Sequence, residues 1–380
     1  MIISLLFVVA LFINDDKGAD YYANRGNQCF YKSKYDSCIY YFTKATQLFK
    51  DTARWKDYVN YRRRMGYVHY VNGRYPKALT IYSELCLVAK EKMNDHDETS
   101  GLLLINSAQV YIETHKYEAA LKFLKDVLKL IENSSKDLEK LKSIAFTNLG
   151  IVYGDIGEFE KGISYQNKAL EIKLRQYGPR DSQVGASYNN LGVAYKTLGD
   201  YEKALEYYFK DLSISLESGE EETYEVSSSY NNIGNVYGLM DEYDLALEYY
   251  VKAHKTKLKI YDVVSSEVAM SYHNMAAIYK NQRKFEQAIE YLNKAVDINT
   301  KLYDGVHGHL SENHIKLAEI YMQQGDQNNA IKNAQNAIAA NVTGYNVSDV
   351  YSNPNIQDNP NKIILLGSLY QKAMVLSASN

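Results

Sequence analysis

The side chains with the clearest chemical pattern are carboxamides. Asn106, Asn148, Asn190, Asn232 and Asn274 follow one another at intervals of 42 residues. One residue earlier stand Thr147, Asn189, Asn231 and His273, and Asn235 lies just beyond Asn232. Each carboxamide offers two donors and an acceptor, while asparagine is a mediocre helix former. Its recurrence therefore needs a reason beyond local propensity. A row of such groups can pair with the backbone of an extended peptide whatever that peptide's side chains. The same row can instead bond the backbone of neighbouring structural units and hold the stack together, and one asparagine can do both. Lys196 and Lys280, six residues after Asn190 and Asn274, fall near the same face, with Glu113 and Asp155 close to it.

Other reactive residue types carry less. Arg62, Arg63 and Arg64 form the only basic cluster, either a grip for an acidic peptide or a solvated helix face. His307, His309 and His314 sit near Glu312, but a metal needs ligands on a defined geometry and a loop is a poor template. Cys29 and Cys38 fall on facing helices, where export would let them pair; otherwise they and Cys86 are small buried residues. A catalytic thiol needs an exposed, electropositive setting, and none of the three is so placed. No glycine-rich phosphate loop, HExxH or GxSxG occurs. The chain reads as a non-enzyme without cofactor or metal. Its net charge of −3 lacks the basic footprint of a nucleic-acid binder.

The elements that position these residues follow from a repeat. A small residue recurs at Gly66, Ala108, Gly150, Gly192, Gly234, Ala276 and Ala318, at a stride of 42, with Gly26 40 residues before the first. Three residues after it comes an aromatic in six of these eight units, nine residues after it another in seven, and twelve after it a small residue. Tyr188, Leu191, Gly192 and Tyr195 share one helix face. Gly199-Asp200 breaks that helix, and Tyr201, Ala204, Leu205 and Tyr208 restart the period. Each unit is thus a pair of antiparallel helices. Neither face can be buried by one pair alone, so stacking supplies the core. The 37 tyrosines, set against one tryptophan, are mostly packing pieces.

This pattern resembles the tetratricopeptide repeat, from about Asp20 to Ala340. The stride matches the longer form found in kinesin light chains, and YGPRDSQVGASYNNLG, Tyr177 to Gly192, is similar to the junction in those proteins. Asp181-Ser182 stands where their His-Pro pair is usual, and YDVVSSEVAMSYHNMA, Tyr261 to Ala276, is a poorer match. The resemblance implies an all-α, right-handed superhelical solenoid of about eight helix pairs over residues 20–341. It implies a concave groove lined by the first helix of each pair and a protein or peptide partner held there. The paired asparagines resemble those lining kinesin light chain grooves.

Beyond the array, residues 342–362 read as loop and 363–380 as a capping helix. YSNPNIQDNPNKIILLGSLYQKAMVL, Tyr351 to Leu376, resembles the segment after the repeats in bacterial proteins that join such an array to a CHAT protease domain. That implies a second reading, a sensor or regulatory module of a protease or signalling kinase whose effector domain is absent from this chain. At the other end, residues 1–19 hold an apolar run, Ile2 to Ile13, too short to span a bilayer. Its length suits a secretory signal and hence a periplasmic or secreted protein. A mis-assigned start, or the remnant of a longer N-terminal helix, is the alternative and would leave the chain cytoplasmic.

Overall fold

A computed structural model describes residues 16–31, 34–93, 97–217, 222–303, 307–342 and 362–377. The N-terminal apolar run, residues 343–361 of the segment read as loop, and residues 218–221 lie outside these residues. Every element described is an α-helix. The chain divides into two compact units, Met1–Pro179 and Arg180–Asn380.

The first unit contains α1 (Asp16–Tyr31), α2 (Tyr35–Asp51), α3 (Trp55–Val71), α4 (Tyr75–Lys92), α5 (Asp97–Glu113), α6 (Tyr117–Asn133), α7 (Glu139–Asp155) and α8 (Phe159–Tyr177). The second contains α9 (Ser182–Leu198), α10 (Tyr201–Glu217), α11 (Tyr224–Leu239), α12 (Tyr243–Ile260), α13 (Ser266–Asn281), α14 (Phe285–Tyr303), α15 (Gly308–Gln323), α16 (Gln327–Ala339) and α17 (Lys362–Ser377). Within each unit successive helices pair and the pairs stack, so the all-α repeat array implied by the spacing is present. The helix α17 packs on α15 and α16, where the Ser368 hydroxyl lies 3.0 Å from that of Ser311.

The small residue of each repeat has a clear physical role. At four of the five glycines a ring from the second helix, 16 residues later, lies directly on it: Phe42 on Gly26, Tyr82 on Gly66, Tyr208 on Gly192 and Tyr250 on Gly234; on Gly150 it is the Gln166 amide. A Cβ at Gly192 would stand 2.6 Å from the Tyr208 ring. Where the small residue is alanine, the facing residue shrinks to Leu124, Leu292 or Ala334, each buried. Seven residues after the small position the chain turns through a left-handed residue. Glycine suits it, as at Gly199 with φ +88°, but His115, Asp241 and Arg283 also adopt it. Several first helices are capped in a sequence-legible way: the Asp181, Thr223 and Ser265 side chains accept backbone N–H bonds at the starts of α9, α11 and α13.

Tyrosine does supply much of the packing. Tyr153 stacks on Tyr165 at 5.5 Å between centroids, and Tyr195 on Tyr207 at 5.4 Å. A lysine caps each such group: Lys168, Lys210, Lys252 and Lys294 hold their ammonium 4.9, 4.9, 4.7 and 4.8 Å from a second-helix ring.

Candidate functional site: an amide chain across the first helices

In the second unit the recurring amides meet. The Asn232 Nδ2 on α11 donates to Asn189 Oδ1 on α9 at 2.8 Å, and Asn274 Nδ2 on α13 donates to Asn231 Oδ1 on α11 at 2.8 Å. His273 Nδ1 continues the series to Asn313 Oδ1 on α15 at 2.6 Å. Each bond joins the residue three before the small position of one repeat to a polar residue on the first helix of the next. The bonding between units considered from sequence is therefore real, although it runs side chain to side chain rather than to backbone. All these side chains are partly exposed apart from Asn313, which is buried. Asn190, at the same register, is partly exposed and makes no side-chain hydrogen bond among the described residues.

The remaining residues divide. Asn235 accepts from the Tyr250 hydroxyl at 2.7 Å, which fixes a core ring. Lys280 on α13 pairs with Glu319 on α15, which also takes Lys316 at 3.2 Å. Burial opposes ionisation of Glu319, but the two lysines outweigh it and hold that carboxyl below its usual range. Lys196 has no carboxylate within ion-pair distance among the described residues, and burial pulls its ammonium down. In the first unit Asn148 is only 6% exposed and donates to the Ile144 carbonyl of its own helix at 2.9 Å. It therefore does not present its amide on a surface. Asn106 is half-buried on α5.

Cavities adjoin the amide chain at both ends. Asn189 borders a cleft of about 650 Å³ formed by α9, α10 and α11, with Gly185, Asp211, Glu217 and Glu225 among its walls. His273 and Asn274 border a smaller one of about 190 Å³, lined also by Met270, Asn299, Glu312 and Asn313. Sequence reasoning passed over Asp211. Its signal was available: 19 residues after the small position the other repeats carry Ala45, Leu85, Val127, Ala169, Ala253, Ala295 and Ala337, all buried.

Three other groups resolve differently from a binding site. The arginine cluster is not a solvated face: Arg62 pairs with Glu84 at 3.0 Å, Arg64 donates to Asn27 at 2.6 Å, and burial lowers the Arg63 pKa. His307 stacks on Tyr303, caps α15 and lies 5.0 Å from the His309 ring, while His314 is bonded to Asn333 at 2.9 Å, so the three histidines do not converge on one point. Among the described residues no three metal-ligating side chains come together. Cys38 is buried, and its thiol is pushed up to about 12, away from nucleophilic character. No described helix is long and apolar enough to cross a membrane.

Comparisons with known proteins agree with this architecture. One family model described as tetratricopeptide repeat matches residues 142–210 and 267–341, and a second matches 226–262. No curated protein matches the chain. Among solved structures, BtubC (BKLC) from P. vanneervenii is similar at 20% identity and TM-score 0.53, covering 60% of this chain and 92% of that one. A Signal Transduction ATPase with Numerous Domains (STAND) protein with a tetratricopeptide repeat sensor, from Pyrococcus horikoshii, is 18% identical at TM-score 0.56. The match covers 85% of this chain and 52% of that one. The apo quorum sensor NprR from B. thuringiensis is 13% identical at TM-score 0.52, over 95% of this chain and 97% of that one. At such identities the likeness is one of fold. Residues 142–210, 226–262 and 267–341 of this chain are thus tetratricopeptide repeats, and the helix pairs α3–α4 and α5–α6 before them keep the same 42-residue beat.

Proposed function

We propose that the chain is a non-enzymatic protein-binding array. Its first-helix face between α9 and α15 holds an extended or helical segment of a partner protein. The observation that carries this reading is the run of partly exposed amides linked from repeat to repeat. A linked amide still has unused capacity, because each carboxamide has more donors and lone pairs than one bond consumes. Pre-positioned amides lose little freedom when a peptide backbone docks on them, so more of each hydrogen bond survives as affinity. Asn190 and Lys196 add an amide and a cation that have no side-chain partner among the described residues.

The test is direct. A photo-cross-linker at position 190 or 232 of the full chain captures the partner segment, and calorimetry with that segment gives the affinity. Asn190→Ala with Asn232→Ala is expected to weaken binding by about 1–3 kcal/mol, the cost of leaving buried polar groups unpaired. Asn190 is the cleaner probe, since its amide holds no neighbouring repeat. Unchanged affinity with an unchanged circular dichroism spectrum defeats the reading.

A second reading, a sensor or regulatory module for a protease or kinase effector, draws on the fold shared with a STAND protein's repeat sensor and a quorum sensor. It predicts that the captured segment belongs to an effector enzyme whose activity changes when the array binds.

A further inference from the structure

The cleft of about 650 Å³ between α9, α10 and α11 has a wall that the amide chain does not account for. Asp211 lies in the interior of α10, at a register position that is aliphatic in every other repeat. It is 8% exposed. An ionised carboxylate in such a place costs several kcal/mol of desolvation unless it is paired. Its pairing is incomplete. Ser229 of α11 donates to Oδ2 at 2.7 Å, and Oδ1 has no donor within reach among the described residues. The backbone on the Oδ1 side is Gly185 of α9, where a Cβ would stand 3.1 Å from that oxygen. Glycine there leaves a cradle against the carboxylate.

The charged groups around the cleft favour a cation. Glu217 of α10 and Glu225 of α11 line it with Asp211, against one guanidinium, Arg180. Arg180 is already spent on Glu217, 3.2 Å away at the exposed rim. Asn189 belongs both to the cleft wall and to the amide chain. A segment bonded along the chain therefore passes the mouth of the cleft. The volume is that of some twenty water molecules at about 30 Å³ each, ample for a long side chain.

We infer that this cleft takes the ammonium or guanidinium of a basic side chain, with Asp211 Oδ1 as its counter-charge and Gly185 giving it room. The inference rests on the segment-binding reading for the source of that side chain, but the cleft is tested without any partner.

The experiment is amide NMR of the full chain, titrated with N-acetyl-arginine methylamide or N-acetyl-lysine methylamide. The neutral isostere N-acetyl-citrulline methylamide is the control. Saturable shifts are expected at the amides of Gly185 and Ser229 with the cationic probes and not with citrulline. They should vanish in Asp211→Ala, a substitution that restores the residue type of Ala169, Ala253 and Ala295 and so keeps the fold. Gly185→Ala, which fills the cradle and leaves the charge, should weaken binding at least tenfold. Because Asp211 titrates close to pH 6, the shifts should strengthen from pH 5 to pH 7. Arg180, Glu217, Tyr224 and Glu225 are the other titratable groups facing the cleft and are the same in all the proteins compared. No saturation, or equal saturation by citrulline, overturns the inference. Tighter binding of putrescine than of either blocked amino acid overturns the side-chain source and assigns the cleft to a free amine. None of these outcomes bears on the Asn190 test, so failure here and failure of the groove reading are distinguishable.

Discussion

Replacing Asp211 by alanine should make the protein more stable, and by an amount that depends on pH. Burial pushes this carboxyl up from 3.8 to about 6; the Ser229 hydrogen bond acts the other way, and Glu225 adds to the rise. The sign follows from linkage. Below pH 3.8 the group is protonated in both folded and unfolded chains and contributes nothing through its charge. Between that value and about 6 the folded chain holds the proton more tightly, so stability falls as pH rises. Above about 6 both states are ionised, and the folded state carries the full cost of a desolvated carboxylate. Each pH unit between the two values is worth about 1.4 kcal/mol, which gives about 3 kcal/mol. The alanine variant lacks this loss. Ser229 is not stranded by the change, because its hydroxyl already lies 2.9 Å from the Glu225 carbonyl. Urea denaturation followed by far-UV circular dichroism, at intervals from about pH 3.5 to 7.5, measures the difference between the two proteins. All other titrating groups are common to both and cancel. The gap in favour of alanine should widen by about 3 kcal/mol over this range, almost all of it below about pH 6.5. A gap that stays constant across the range refutes the burial argument, and with it the view that this carboxylate waits for a cation.

Three further outcomes follow from the packing. Gly192→Ala should cost about 1–3 kcal/mol in a denaturation assay, because the buried Tyr208 ring cannot swing clear of the new methyl group. Adding Tyr208→Leu should recover most of that loss by recreating the Ala108–Leu124 and Ala276–Leu292 arrangement. Tyr250→Phe should cost about 0.5–1.5 kcal/mol through its bond to Asn235, whereas Tyr208→Phe, whose hydroxyl is buried without a partner among the described residues, should be neutral or stabilising. A double-mutant cycle on Asn189→Ala and Asn232→Ala should give a coupling of about 0.5–1.5 kcal/mol; additive losses would show that their 2.8 Å bond does nothing for the stack.

Much of this molecule is legible in one dimension because a repeat states its own geometry many times over. A glycine or alanine every 42 residues, an aromatic three later and a breaker before the second helix are local signals, and helix pairing is a local outcome. The left-handed turn residue is legible too where it is Gly199, and illegible where it is His115 or Arg283, exposed residues whose turns are closed by backbone bonds from Lys116 N–H to the Tyr111 carbonyl and from Lys284 N–H to the Tyr279 carbonyl. The asparagines were visible as a row, but their partners were not. Whether Asn148 turns inward to Ile144 and Asn232 turns toward the next repeat depends on the close approach of neighbouring first helices, which no spacing encodes. Asp211 was legible as an exception to an aliphatic column. That its carboxylate faces a cavity beneath Gly185 was decided only by how three helices, distant in sequence, leave space unfilled. Spacing sets which face a residue occupies; only packing decides which atoms it meets there.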